Sequence, residues 1–218
     1  MSDVVWLSNV YRSSSAERGY RPVGYPDVVD PPLDNEVGVA FRSVTKRQKK
    51  HLHIDDHEFP KQLYAVERWA DHKRPKRHIL SAGGALVVSS TSADILRDHD
   101  MGASRLVPVD LLHPDQKTKL EGDWFYLVLG DGKPCFQWDQ SEGLIPLGEN
   151  NDLFMINNKD HVSDGDLVFS REVLTTPDIW FDPAVLEAPI ISDRLALALK
   201  AAKVAKHWDL LRCKVISD

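Results

Sequence analysis

The densest group of titratable side chains lies in Lys49–Pro60, KKHLHIDDHEFP, where three histidines and two aspartates fall between His51 and His57. Imidazole nitrogens and carboxylate oxygens are ligands for zinc, and a bound zinc would make a metal-dependent hydrolase. Drawn as a strand, the segment puts His51, His53, Asp55 and His57 on one face and Leu52 and Ile54 on the other. Four successive same-face residues then span about 20 Å, too far for one tetrahedral ion. An ion could use two of them only with ligands imported from elsewhere. Lys46, Arg47, Lys49 and Lys50 lie just upstream and oppose cation binding. After His57-Glu58 come Phe59, Pro60 and Lys61, without the second histidine of a zincin helix. The segment therefore reads as solvated and partner-facing, with His51, His53, Asp55 and His57 as partner-binding residues and no metal. The metal-dependent hydrolase is kept as the alternative.

Other candidate chemistry is incomplete. Asp164-Gly165-Asp166 has the composition of a polar turn. Gly83-Gly84 precedes a strand-like run without the further glycines of a dinucleotide loop, and there is no Walker sequence. Ser89 and Ser192 follow short aliphatic runs without a glycine-flanked elbow, so they read as helix caps. Trp69, Trp124 and Trp138 fall in apolar-periodic segments and are expected in the core; Trp180 and Trp208, with polar neighbours, are the better partner-binding candidates. No catalytic set is complete, and the expectation is a protein that is not an enzyme and takes no cofactor.

The 218 residues, 42% apolar and 28% charged, suit a soluble globular chain. No apolar run approaches the roughly 20 residues of a membrane span, and the start lacks a basic-then-apolar leader, so a cytoplasmic location is expected. Cys135 and Cys213 lie in apolar-periodic segments, as small buried hydrophobes do. The net charge of −6 disfavours general nucleic-acid binding. It is unevenly spread: from Arg42 to Arg77 there are eleven Lys/Arg against five Asp/Glu, a surplus of six, leaving −12 for the remainder. Lys46–Lys50 and Lys73–Arg77 keep a regulatory nucleic-acid binder as a second alternative. The same window holds or adjoins His51, His53, His57, His72 and His78, so its charge should change most between pH 5 and 7.

Strands are expected at Val4–Leu7 and Val37–Val44, separated by an extended loop rich in proline (Pro22, Pro26, Pro31, Pro32). Leu63, Val66 and Trp69 predict a helix over Pro60–Asp71. Ala85–Ser89 reads as a buried strand leading into a short helix, and RLVPVDLL as another strand. Two aromatic-rich runs around Gly130-Asp131-Gly132-Lys133 predict a β-hairpin. Strands are also expected at Leu153–Ile156, Leu167–Phe169 and Leu210–Ile216, with a helix behind Ser192 presenting Leu195, Leu199 and Ala202 on one face. ALVVSSTSADIL from Ala85 echoes APIISDRLALAL from Ala188, at an offset of 103. The echo marks a capped strand-to-helix turn used twice.

The order ALVVSSTSADIL, RLVPVDLL, DWFYLVL and DIWFDPAVLEAPIISDRLALALKAAKVAKHWDL resembles the immunity proteins of bacterial polymorphic toxin systems, specifically the family typed from a myxobacterial immunity domain, over roughly residues 79–215. Members of that family tend to carry a glycine in the turn after the last helix, where this chain has Val204-Ala205-Lys206-His207. The resemblance implies a non-enzymatic protein made beside a toxin and binding it, and transfers no site residue. The expected fold is α+β, a mixed or antiparallel sheet with a central hairpin and a few short packed helices. Residues 79–218 would form the immunity-like domain, and residues 1–78 a strand, loop and helix region of the same domain.

Overall fold

The computed structural model describes residues 4–11, 16–26, 35–50, 52–66, 75–130, 132–147, 152–157, 162–175 and 177–216. In chain order the elements are β1 (Val4–Ser8), β2 (Glu17–Arg18), β3 (Tyr20–Pro22), α1 (Glu36–Lys49), β4 (Gln62–Ala65), β5 (Ile79–Ala82), β6 (Ala85–Ser89), α2 (Ser90–Arg97), β7 (Arg105–Leu112) and β8 (Trp124–Val128). They continue with β9 (Leu144–Leu147), β10 (Leu153–Ile156), β11 (Val168–Ser170), β12 (Ile179–Trp180), β13 (Ile190–Ser192), α3 (Asp193–Ala201), α4 (Ala205–Trp208) and β14 (Leu210–Ile216). The fold is α+β with mixed sheets, as the sequence led us to expect.

The chain forms two compact units, each assembled from separated segments. The early unit comprises residues 16–93 and 106–128; the late unit comprises residues 1–15, 94–105 and 129–218. The early unit holds a seven-stranded sheet in the order β2-β5-β6-β8-β7-β4-β3. Helix α1 covers it, burying Phe41 and Val44 with Leu63, Leu80, Val87 and Tyr126. The buried Gln48 amide also donates to the Leu127 carbonyl at 2.7 Å. The late unit holds a five-stranded sheet, β11-β14-β1-β13-β12, and the antiparallel pair β9-β10. Its core gathers Leu7, Phe169, Trp180, Ile190 and Leu211.

The aliphatic strands β6 and β13, which end in Ser89 and Ser192, turn directly into helices α2 and α3. The Ser192 hydroxyl accepts from the Leu195 N–H at 3.1 Å and so caps α3, whose buried face is Leu195, Ala196 and Leu199. Ala202 lies past the helix, exposed, rather than on that face. The Ser89 hydroxyl receives the Ser92 N–H at 3.5 Å, a longer cap on α2. Strands β1, β7, β10, β11 and β14 fall where the hydrophobic pattern places them.

Three elements differ from expectation. Residues 37–44 are helical, because Val37, Phe41, Val44 and Gln48 follow the helical spacing and Asn35 caps the first turn by accepting from the Gly38 N–H at 2.8 Å. Leu63 belongs to a strand, not a helix: β4 pairs parallel with β7 and antiparallel with β3, so Leu63, Tyr64 and Ala65 are all buried. Its expected partners at 67–71 lie outside the described residues. The hairpin around Gly130 is not formed. Strand β8 is flanked by β6 and β7, while Gly132 and Phe136 bridge to Phe181 and Phe169. Gly130 serves close approach instead of a turn: a Cβ there would stand 2.1 Å from the Ala103 carbonyl oxygen. A tight hairpin does occur at Gly83-Gly84, both with positive φ, between β5 and β6.

Candidate functional site

The basic, histidine-bearing segment belongs to the early unit and is built on α1. At the end of α1 the Lys50 N–H bonds to the Lys46 and Arg47 carbonyls, and the Leu52 N–H to the Arg47 carbonyl at 2.9 Å. The chain then runs extended through Ile54, which is buried, into a 3-10 turn at Asp56–Glu58. Arg47 pairs with Glu58 through both guanidinium nitrogens, and the Asp55 N–H donates to the same carboxylate at 2.9 Å. The Arg47 guanidinium, followed by the Asp55 N–H, holds the Glu58 carboxyl below its ordinary range. Phe59 closes the segment, buried with its ring 4.8 Å from that of Tyr126.

This bracing leaves His53, Asp55 and His57 exposed together, with the His53 ring 3.2 Å from the Asp55 carboxylate. His51 lies outside the described residues. Leu52, expected opposite the histidines, is itself 54% exposed, whereas Ile54 on the same side is buried. Among the described residues no group of three or more His, Cys, Asp or Glu side chains is arranged to hold a metal ion.

Beside His57 lies a groove of about 370 Å³, lined by Pro22, Val37, Phe41, Phe59 and Lys61 among others. Tyr25 is fixed in the same unit: the Tyr64 hydroxyl donates to the Tyr25 carbonyl at 2.6 Å, and Arg42 donates to the Tyr25 hydroxyl at 3.3 Å. Gly38 is required here, since a Cβ would come within 2.4 Å of the Tyr25 ring. Val39 on α1 is 48% exposed. The result is apolar surface, imidazole and cationic side chains together on the early unit.

The other basic stretch is divided: Lys73 and Arg74 lie outside the described residues, and Arg47 of the first stretch is taken up by Glu58. The tryptophans depart from expectation in an instructive way. Trp180 and Trp208 are fully buried in the late unit, so in the folded chain neither offers surface to a partner. Trp124 is buried as expected, and Trp69 lies outside the described residues. Trp138 is 55% exposed, stacked on Phe154 with centroids 5.6 Å apart. Its neighbours Gln137, Asp139 and Gln140 were the available signal. Asp164-Gly165-Asp166 forms a turn in which Asp166 accepts the Ser163 N–H at 2.6 Å and Asp164 accepts the Arg212 N–H at 2.9 Å. Both cysteines are free and buried, and burial raises both thiols.

The pattern of the immunity protein family (Imm11) matches residues 27–210, most of the chain. The chain belongs to this family. Membership in Imm11 points to an immunity function against toxins and to a toxin as the general class of partner. No individual curated protein matches the chain. No helix among the described residues is long and apolar enough to cross a membrane.

Proposed function

We propose that this Imm11 member binds one cognate bacterial toxin and neutralises it by covering the toxin's active site or its substrate approach. Family membership over residues 27–210 carries the reading. The binding surface in this proposal is the early-unit face made by Val39, Leu52, His53, Asp55 and His57 beside the groove. Support comes from its composition: exposed aliphatic side chains ringed by fixed charge combine an apolar centre with a polar rim. The protein acts in the cytoplasm without a cofactor and without catalysing a reaction. Residues 1–78 work as part of the same immunity domain, which accords with a family match that begins at residue 27.

The test is co-expression with the product of the adjacent toxin gene. A stable complex and restored growth are expected; failure of both, with each protein folded, overturns the proposal. For the surface, a His53→Ala, His57→Ala double variant is expected to bind at least about tenfold more weakly. Unchanged affinity in that variant moves the interface to another face.

A further inference from the structure

The two units share one strand plan. In the late unit the sheet runs β12-β13-β1-β14-β11; in the early unit, inside the flanking β2 and β3, it runs β5-β6-β8-β7-β4. Aligned in that order, the pairing senses agree at three of the four junctions. β12/β13 and β5/β6 are antiparallel, as are β13/β1 and β6/β8, whereas β14/β11 and β7/β4 are parallel.

At the first two of these junctions the registers agree as well. Ile179 and Trp180 face Ile191 and Ile190, as Ile79 and Leu80 face Val88 and Val87. Val5, Trp6 and Leu7 face Ser192, Ile191 and Ile190, as Trp124, Phe125 and Tyr126 face Ser89, Val88 and Val87. At the third junction the ladders of Val168–Ser170 with Lys214–Ile216 and of Gln62–Tyr64 with Asp110–Leu112 share their parallel sense, while their counts from the two serines differ by one. Behind the serines, Ser92, Ala93 and Leu96 are buried at the same offsets as Leu195, Ala196 and Leu199.

A strand, a serine cap and a helix recur in unrelated folds, but a shared order of five strands with the same mix of parallel and antiparallel neighbours does not follow from that. Chain order agrees up to a single break. The early copy reads β4, β5, β6, α2, β7, β8; the late copy reads β11, β12, β13, α3, β14, with the four-residue α4 added before β14, and the place of its last strand is taken by β1.

We propose that the chain is a tandem pair of one β-β-β-α-β-β module, in which the final strand of the second copy has been replaced by the strand that leads the chain. The gap between β13 and β14 is then a binding slot for an extended apolar segment, filled by Val4–Ser8 and open in principle to a second copy of the same segment. Backbone ladders on both sides supply affinity, and Val5 and Leu7, both buried, supply the apolar contacts. This inference goes beyond toxin binding and does not rest on it.

Val5 stands opposite Cys213, which is free and buried, and residues directly opposite in an antiparallel pair lie within reach of a disulfide. In the full chain, Val5→Cys should cross-link to Cys213 nearly completely with oxidised glutathione, read by peptide mass mapping. A second full-length chain keeps residues 1–11 unchanged and carries a further copy of them after Asp218, joined through a copy of the His113–Asp123 connection, with Val5→Cys in the added copy alone. Identical segments competing for one slot should leave about half of the molecules cross-linked to Cys213. A yield of a few per cent or less, beside near-complete cross-linking in the first chain, overturns the proposal.

Discussion

The turns after β6 and β13 solve one backbone problem with different side chains. In both, the serine N–H donates to the residue that precedes the neighbouring strand: Ser89 to the His78 carbonyl at 3.1 Å and Ser192 to the Asp178 carbonyl at 3.0 Å. In both, the side chain of that residue meets the serine hydroxyl. At the early turn the partner is the His78 ring, 2.8 Å away; at the late turn it is the buried Asp178 carboxylate, which also takes the Asp100 N–H and two nitrogens of Arg194. The backbone requirement is common, and the electrostatics are free to diverge. The contact of His78 with Ser89 braces the early turn as that of Asp178 with Ser192 braces the late one.

That comparison can be broken most forcefully in the helices. Leu96→Ala and Leu199→Ala occupy equivalent, fully buried positions and should each cost about 3 kcal/mol in denaturant unfolding; losses differing by more than about 2 kcal/mol would separate the two turns. Asp178→Ala deprives four donors of a charged acceptor and should cost about 2–3 kcal/mol, whereas His78→Ala, which removes the ring's contact with Ser89, should cost about 1 kcal/mol. Ser192→Ala should cost about 1 kcal/mol and Ser89→Ala less, because its cap is longer.

The smallest effect is one of pH. Burial, the largest single influence on Asp178, raises its carboxyl, but the bonds from Arg194, Ser192 and the Asp100 N–H outweigh it and hold the group below its ordinary value. A carboxyl lowered by folding contributes stability that is present above its unfolded pKa and lost as pH falls through the folded one. The gap in stability between the parent and Asp178→Asn should therefore narrow between about pH 5 and pH 2. At Asp182 the direction is reversed: burial raises the carboxyl against the opposing N–H bonds of Ala184, Cys135 and Phe136, so its contribution is larger on the acid side and falls as pH rises. An Asp182→Asn variant should consequently lose its deficit at higher pH, not at lower.

What could be read from the sequence follows from how local each signal is. Helix α3 and strand β14 were legible because the Ser192 cap and the alternation of Leu211 and Cys213 are set within a few residues. Helix α1 was misread because its valines suggested a strand, although Val37, Phe41 and Val44 already carried the helical spacing. Strand β4 was hidden because both its neighbours are distant in sequence and it is buried on both faces, which erases alternation. Of the candidate site, exposure of His53, Asp55 and His57 could be anticipated; the groove beside them could not, since Pro22 and Phe41 join His57 only through the fold. Trp208, between His207 and Asp209, shows that polar neighbours in sequence do not by themselves place an indole at the surface.

The pairing of Val4–Ser8 with Leu210–Lys214 has a consequence for synthesis. The early unit is complete once residue 128 has been made, whereas the first strand must wait for β13 and β14, nearly the whole length of the chain later. At the usual pace of translation, the interval between residues 128 and 216 lasts on the order of 10 s. For that time a strand rich in valine and tryptophan has neither of its neighbours, so the nascent protein is most open to chaperones, to a sister chain, or to misassembly while its first half is already folded.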